Sequence, residues 1–254
     1  MENNVKNDPE SALALAENYE RRISSLISVV SHYFSNQLSR ALSDLEYLRR
    51  DGSRLSERER DAILSSICAT LIAMSTRIKS MSMFSSGQLL RTDHHRVGAR
   101  EILERAVDLV RPLIESKGIT ISLSCKRSVS IYCSPEMMVT AIVNILLNAV
   151  ESFDHIYKKS KQVIVTTHLN KTDLEISVAD NGQGIPSDHL SEAFEPFFTT
   201  KTRGIVLGLA TARRIAKAHG GDIQIESKYG EETRVVLIVP VVGKGSKTDM
   251  EKEV

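Results

Sequence analysis

From Glu17 to Arg50 neither glycine nor proline interrupts the chain, and apolar side chains recur at Ile23, Leu26, Ile27, Val30, Phe34, Leu38, Leu42 and Leu45. Positions three and four apart share one side of a helix, so this spacing predicts a long amphipathic helix. Asp51-Gly52-Ser53 reads as a turn, and Ser56 followed by Glu59 has the form of a capping box opening a second helix. That helix runs through Ile63, Ile67, Leu71, Met74, Ile78 and Met81 toward Gly87. A lone helical hairpin cannot bury its apolar stripe. Two copies can, as a four-helix bundle, so the pattern predicts a homodimer.

Beyond a linker around residues 91–98 the period changes. Residues 99–116 read as a helix, 119–124 as a short alternating strand, and 134–153 as a helix capped by Ser134-Pro135. Residues 162–169 and 173–179 read as hairpin strands around Asn170-Lys171-Thr172. A glycine-rich region, a helix over about 208–219, and closing strands at 222–227 and 233–240 follow. Strands covered by helices on one side predict a two-layer sandwich. The fold class is therefore α+β, an all-α dimeric hairpin followed by an α/β two-layer domain. The expected boundaries are 1–16 for a flexible N-terminus, 17–91 for the hairpin, 92–243 for the sandwich and 244–254 for a disordered tail.

Composition narrows the function classes. Of 254 residues, 33 are Lys or Arg and 32 Asp or Glu, a net charge of +1, which gives no nucleic-acid footprint. Cys68, Cys125 and Cys133 lack metal or disulfide spacing and fit buried thiols in a reducing compartment. The start MENNVKNDPE is no secretory signal, and no apolar run approaches the ~20 residues that span a bilayer. The expectation is a cytoplasmic chain without a membrane segment; any membrane sensor would lie outside it.

Candidate chemistry begins in VTAIVNILLNAVESF, where Asn144 and Asn148 share one helix face. Amides on an apolar helix are costly unless bound to something, and an amide oxygen suits Mg²⁺; equally, they can cap neighbouring loops. VADNGQGIP ends a strand at Asp180-Asn181-Gly182-Gln183-Gly184. A carboxylate there can accept from an exocyclic amine while glycines admit a flat ring, although an Asp-Asn-Gly turn alone is commoner. FEPFFTTK, ending at Lys201, precedes RGIVLGLATARRIAKAHGG. Its glycines lead into a helix N-terminus, where N–H groups and the helix dipole favour phosphate.

The order of these four elements over about 65 residues resembles the ATP-binding domain of sensor histidine kinases, within the superfamily that includes gyrase, MutL-type and heat-shock chaperone ATPases; the resemblance covers residues 92–243. It implies that Asn148 holds Mg²⁺, Asn144 assists at the phosphates, Asp180 reads the adenine amine, and Gly182 and Gly184 shape the pocket. Residues 187–206 would form a lid. Lys201, Gly204, Leu207, Gly208 and Leu209 would line the nucleotide site with it. Members that hydrolyse ATP carry a Glu four residues before the metal Asn; Asn144 stands there, and an amide is no base for water. Transfer to another nucleophile is therefore expected. In SHYFSNQL, His32 resembles the family's phosphoacceptor, with Phe34, Asn36 and Leu38 in register. Asn36, one turn on, would orient a water for dephosphorylation. The implied partner is the receiver domain of a response regulator.

Three departures define the alternatives. Tyr33 stands where the family has an acid, Gln37 where it has proline, and Val206, in GIVLGL, where it has glycine. A β-branched residue cannot cheaply adopt a positive φ. A histidine phosphotransfer or scaffold protein with a degenerate ATP domain is the second reading, and an ATPase switch the third.

Overall fold

The computed structural model describes residues 9–85, 93–125, 129–154, 156–195 and 207–241. Helix α1 (Pro9–Asp51) and helix α2 (Glu57–Ser85) form the hairpin, joined by a 3-10 turn, Gly52–Arg54. The capping box closes as the sequence predicts: the Ser56 N–H donates to Glu59 Oε2 at 2.9 Å and the Glu59 N–H to Ser56 Oγ at 3.3 Å. Helix α1 starts at Pro9, inside the segment expected to be flexible. Proline is favoured in a first turn, and the alanine- and leucine-rich stretch after it propagates a helix.

Strand β1 (His95–Gly98), α3 (Ala99–Ser116), β2 (Ile119–Ser124), β3 (Ser130–Cys133) and α4 (Pro135–Glu151) open the second domain. Next come β4 (Lys161–Leu169), β5 (Asp173–Asp180), the short α5 (Ser187–Leu190), α6 (Gly208–Ala218), β6 (Asp222–Lys228) and β7 (Glu232–Pro240). The main sheet has the order β2-β4-β5-β7-β6, antiparallel except for the β2–β4 pair. Helices α3, α4 and α6 cover it; α4 lies between the other two and is buried almost all round. Its inner residues Ile142, Ile145 and Leu146 join Leu174, Ile176, Val178 and Leu237 of the sheet in one core.

The linker expectation is corrected in part. Residues 95–98 are not free chain: they pair antiparallel with β3, His95 opposite Cys133 and Gly98 opposite Ser130, and Val97 is buried. Cys125 and Cys133 are buried as expected, but Cys68 is exposed on α2.

The hairpin keeps apolar side chains in water. Ile27, Leu38, Leu42 and Leu45 on α1, and Leu64, Leu71 and Ile78 on α2, are each about half exposed. Residues Glu57–Met83 of α2 are also long and apolar enough to cross a membrane by length and composition, with a mean hydropathy of 1.3 over the best window. The expectation that the chain holds no such segment is therefore not confirmed, since serines and threonines interrupt the apolar run of this helix without adding charge. Its inner side does not face lipid: α2 packs on α1, α3, α4 and α6, with Thr76 and Ser80 buried.

Candidate functional site

The C-terminal ends of β5 and α4 meet, and the site is built where they do. Asp180 ends β5 and is 5% exposed. Its Oδ1 accepts from Ser152 Oγ at 2.7 Å and from the Gly182 N–H at 2.9 Å. Ser152 is the residue that closes α4, so one carboxylate oxygen ties strand end to helix end. The backbone after Asp180 runs hard against this pair: a Cβ on Gly182 would stand 1.8 Å from Ser152 Oγ. Gly184 has φ +71° and lies against the Lys228 carbonyl, where a Cβ would come within 2.3 Å. Both glycines are required, one by contact and the other by backbone conformation as well.

Along α4, Asn144, Asn148 and Glu151 fall on one face, four and three residues apart. They line a small cleft with Leu147, with Gly208 and Leu209 from α6, and with Arg77 from α2. Gly208 opens α6 so close to α4 that a Cβ would stand 3.3 Å from Asn144 Oδ1. Leu207 and Leu209 are buried on either side of it. The cleft therefore has amides along one wall and a helix N-terminus, with its unpaired first-turn N–H groups, along the other. That is a donor set for an anion and a hard cation together.

Asn144 and Asn148 differ in surroundings. Asn144 is buried; its Nδ2 donates to the Thr140 carbonyl at 2.9 Å and its Oδ1 accepts from Ser80 Oγ at 3.3 Å. Asn148 is half-buried and faces the cleft. Lys201 and Gly204, together with Val206, lie outside the described residues.

On α1, His32 is exposed, and Asn36 Nδ2 lies 2.7 Å from its Nδ1. Tyr33 turns inward instead. Its ring lies under the Arg77 guanidinium at 4.9 Å, and burial pushes its hydroxyl pKa up. Arg77 in turn forms an ion pair with Glu151 on α4. Residue-level reading of the sequence missed Ser152, Arg77, Glu151 and Ser80. Ser152 was within reach, since it stands one turn beyond Asn148 on the same face. The only local signal for Arg77 is that it and Lys79 are the sole charges between Asp61 and Met83.

Residues 133–243 match the histidine kinase-, DNA gyrase B-, and HSP90-like ATPase family. Over 227 residues the chain is 29% identical to the signal transduction histidine-protein kinase AtoS of Escherichia coli, covering 89% of this chain and 36% of that protein. It is 32% identical over 143 residues to sporulation kinase E of Bacillus subtilis, covering 56% of this chain and 19% of that one. The sensor protein kinase FleS of Pseudomonas aeruginosa aligns over 93% of this chain and 58% of its own length at 28% identity. The chain thus spans only part of these relatives. Among solved structures, the catalytic domain of histidine kinase ThkA superposes at TM-score 0.52, 23% identity, covering 59% of this chain and 97% of that one. Full-length ShkA, solved in complex with AMPPNP, superposes at TM-score 0.57 and 18% identity over 88% of this chain and 47% of that one. At these identities the superpositions speak for the fold. Residues 133–243 thus match a histidine kinase-, DNA gyrase B-, and HSP90-like ATPase domain, and along most of its length the chain is similar to histidine kinases.

Proposed function

We propose that this chain is an ATP-dependent protein histidine kinase, which moves the γ-phosphoryl group of ATP to His32 and then to an aspartate of a response-regulator receiver domain. One observation carries the reading: the buried, doubly hydrogen-bonded Asp180 is tied to the end of the same helix, α4, whose face lines the amide-and-helix-end cleft. Asp180 offers the acceptor for an adenine amine, and the first turn of α6 offers the donors for phosphate. Asn148, with its amide facing the cleft, would hold Mg²⁺. The bound ion supplies charge neutralisation at the phosphates.

In the transfer, a lone pair on the His32 imidazole forms the P–N bond. The bond from the γ-phosphorus to the bridging oxygen breaks, ADP leaves with that electron pair, and the ring loses its proton. Asn36 sets the tautomer: its Nδ2 donates to Nδ1, and so fixes which ring nitrogen carries the proton. Water is a poor competitor. The position of a hydrolytic base is Asn144, which cannot take up a proton and is bonded to Thr140 and Ser80. A scaffold with a degenerate ATP domain gains no support, because Gly182 and Asp180 keep a close fit that scaffolding alone does not need. Incubating the chain with γ-labelled ATP and Mg²⁺ is expected to give an acid-labile, base-stable label, as a P–N bond requires; an acid-stable label would defeat the proposal.

The half-exposed leucines and isoleucines of the hairpin support a homodimer. Light scattering is expected to show twice the 28.2 kDa chain mass, and Leu38→Glu with Leu42→Glu to halve it. A monomeric wild-type chain would contradict the bundle. Three cysteines that form no disulfide support a reducing, cytoplasmic setting, which cell fractionation tests.

A further inference from the structure

The cleft has one cation among its described lining residues, and the hairpin supplies it. The face of α4 contributes two amides and a carboxylate, Glu151, which would repel a polyanion. In the first turns of α6, the nearby Arg213 is already engaged, paired with Asp222 and stacked on Phe194. Arg77 reaches into the cleft from α2, with its side chain only 12% exposed. Glu151 holds one edge of its guanidinium and the Tyr33 ring one face. A guanidinium presents a rigid planar fork of N–H donors that matches phosphate oxygens as well as a carboxylate.

From this geometry we infer that Arg77 is a ligand for the phosphate chain of the nucleotide, delivered by the helical hairpin to the cleft of the ATPase-type domain and held there by Glu151. The inference rests on the proposal that the cleft binds ATP. It gives the ion pair a definite consequence. Glu151 keeps Arg77 aimed into the cleft and also competes with phosphate for it, so removing either partner should change ATP affinity in opposite directions. Because Arg77 also carries the ring of Tyr33, the neighbour of His32, nucleotide occupancy is felt on the helix that holds the phosphoacceptor.

Calorimetric titration of the full chain with Mg²⁺-ATP and, separately, adenosine tests this. Arg77→Gln is expected to weaken ATP about tenfold or more and leave adenosine unchanged, since a charge-assisted bond to phosphate is lost. Glu151→Gln is expected to strengthen ATP binding several-fold. The double variant removes both buried charges at once and should match Arg77→Gln, which keeps the comparison open if the single variant unfolds. Shifts of the same sign in both single variants would reduce the pair to a latch between hairpin and domain and overturn the inference. Equal losses of ATP and adenosine, or an Arg77→Gln variant that binds ATP as wild type does, would also overturn it while leaving the nucleotide site standing. A wild-type chain that binds neither ligand would overturn the nucleotide reading itself, and this inference with it.

Discussion

Asp180→Asn is expected to lower ATP affinity about tenfold to a hundredfold while the domain stays folded. The substitution keeps one carbonyl-type oxygen, which can still accept from Ser152 Oγ and the Gly182 N–H, so the tie between β5 and α4 survives. It exchanges the other oxygen for an NH₂ group and removes the negative charge. An adenine amine then meets a donor where it needs an acceptor. A hydrogen bond to a charged group contributes about 1.5–3 kcal/mol, and about 1.4 kcal/mol is a factor of ten in affinity. Circular dichroism checks the fold and titration with Mg²⁺-ATP the affinity. A folded variant with unchanged affinity would remove Asp180 from the adenine site. The contrast with Arg77 is informative: Asp180→Asn should weaken adenosine and ATP alike, whereas Arg77→Gln should weaken ATP alone.

The sheet domain was legible where its pattern was long and punctuated. Helix α3 and strand β2 fall on the expected residues, 99–116 and 119–124, because Gly98 and Gly118 bracket the helix and period-2 alternation marks the strand. Strands β1 and β3 were not, since four residues are too few to show a period and they pair with each other across α3 and β2. The start of α1 was missed for a different reason: the polar opening residues and the Asp8-Pro9 break read as a frayed end, yet the alanines and leucines after Pro9 carry good helix propensity.

The site divides in the same way. Asp180, Gly182 and Gly184 were readable because a strand end, a turn and a close approach lie within five residues. Asn148 was expected on a helix face and Gly208 at a glycine-rich helix start, and both line the cleft. The Arg77–Glu151 pair spans 74 residues of sequence and joins two domains, so no local spacing announces it. Ser80 on Asn144 is the same kind of contact, 64 residues apart. These two contacts bring the hairpin onto the α4–α6 cleft, and each became visible only with the chain folded.

His32→Gln is expected to abolish the acid-labile label altogether while nucleotide affinity stays within about twofold of wild type. Glutamine keeps the polar, exposed character of the position and the helix, but it has no nucleophilic nitrogen lone pair, because its amide nitrogen is conjugated to the carbonyl. The label therefore reports the imidazole and not the fold. Asn36→Ala separates orientation from chemistry. It leaves His32 in place and removes the amide 2.7 Å from Nδ1, so labelling should still occur, slowed several-fold, as the loss of about 1 kcal/mol of hydrogen bonding implies. The same amide is the group proposed to orient a water for removing phosphate from the receiver domain, so dephosphorylation should slow in this variant as well. Label that persists in His32→Gln would place the acceptor on another residue. The hairpin's assigned role would then fall, and the nucleotide cleft would stand or fall on the Asp180 and Arg77 titrations alone.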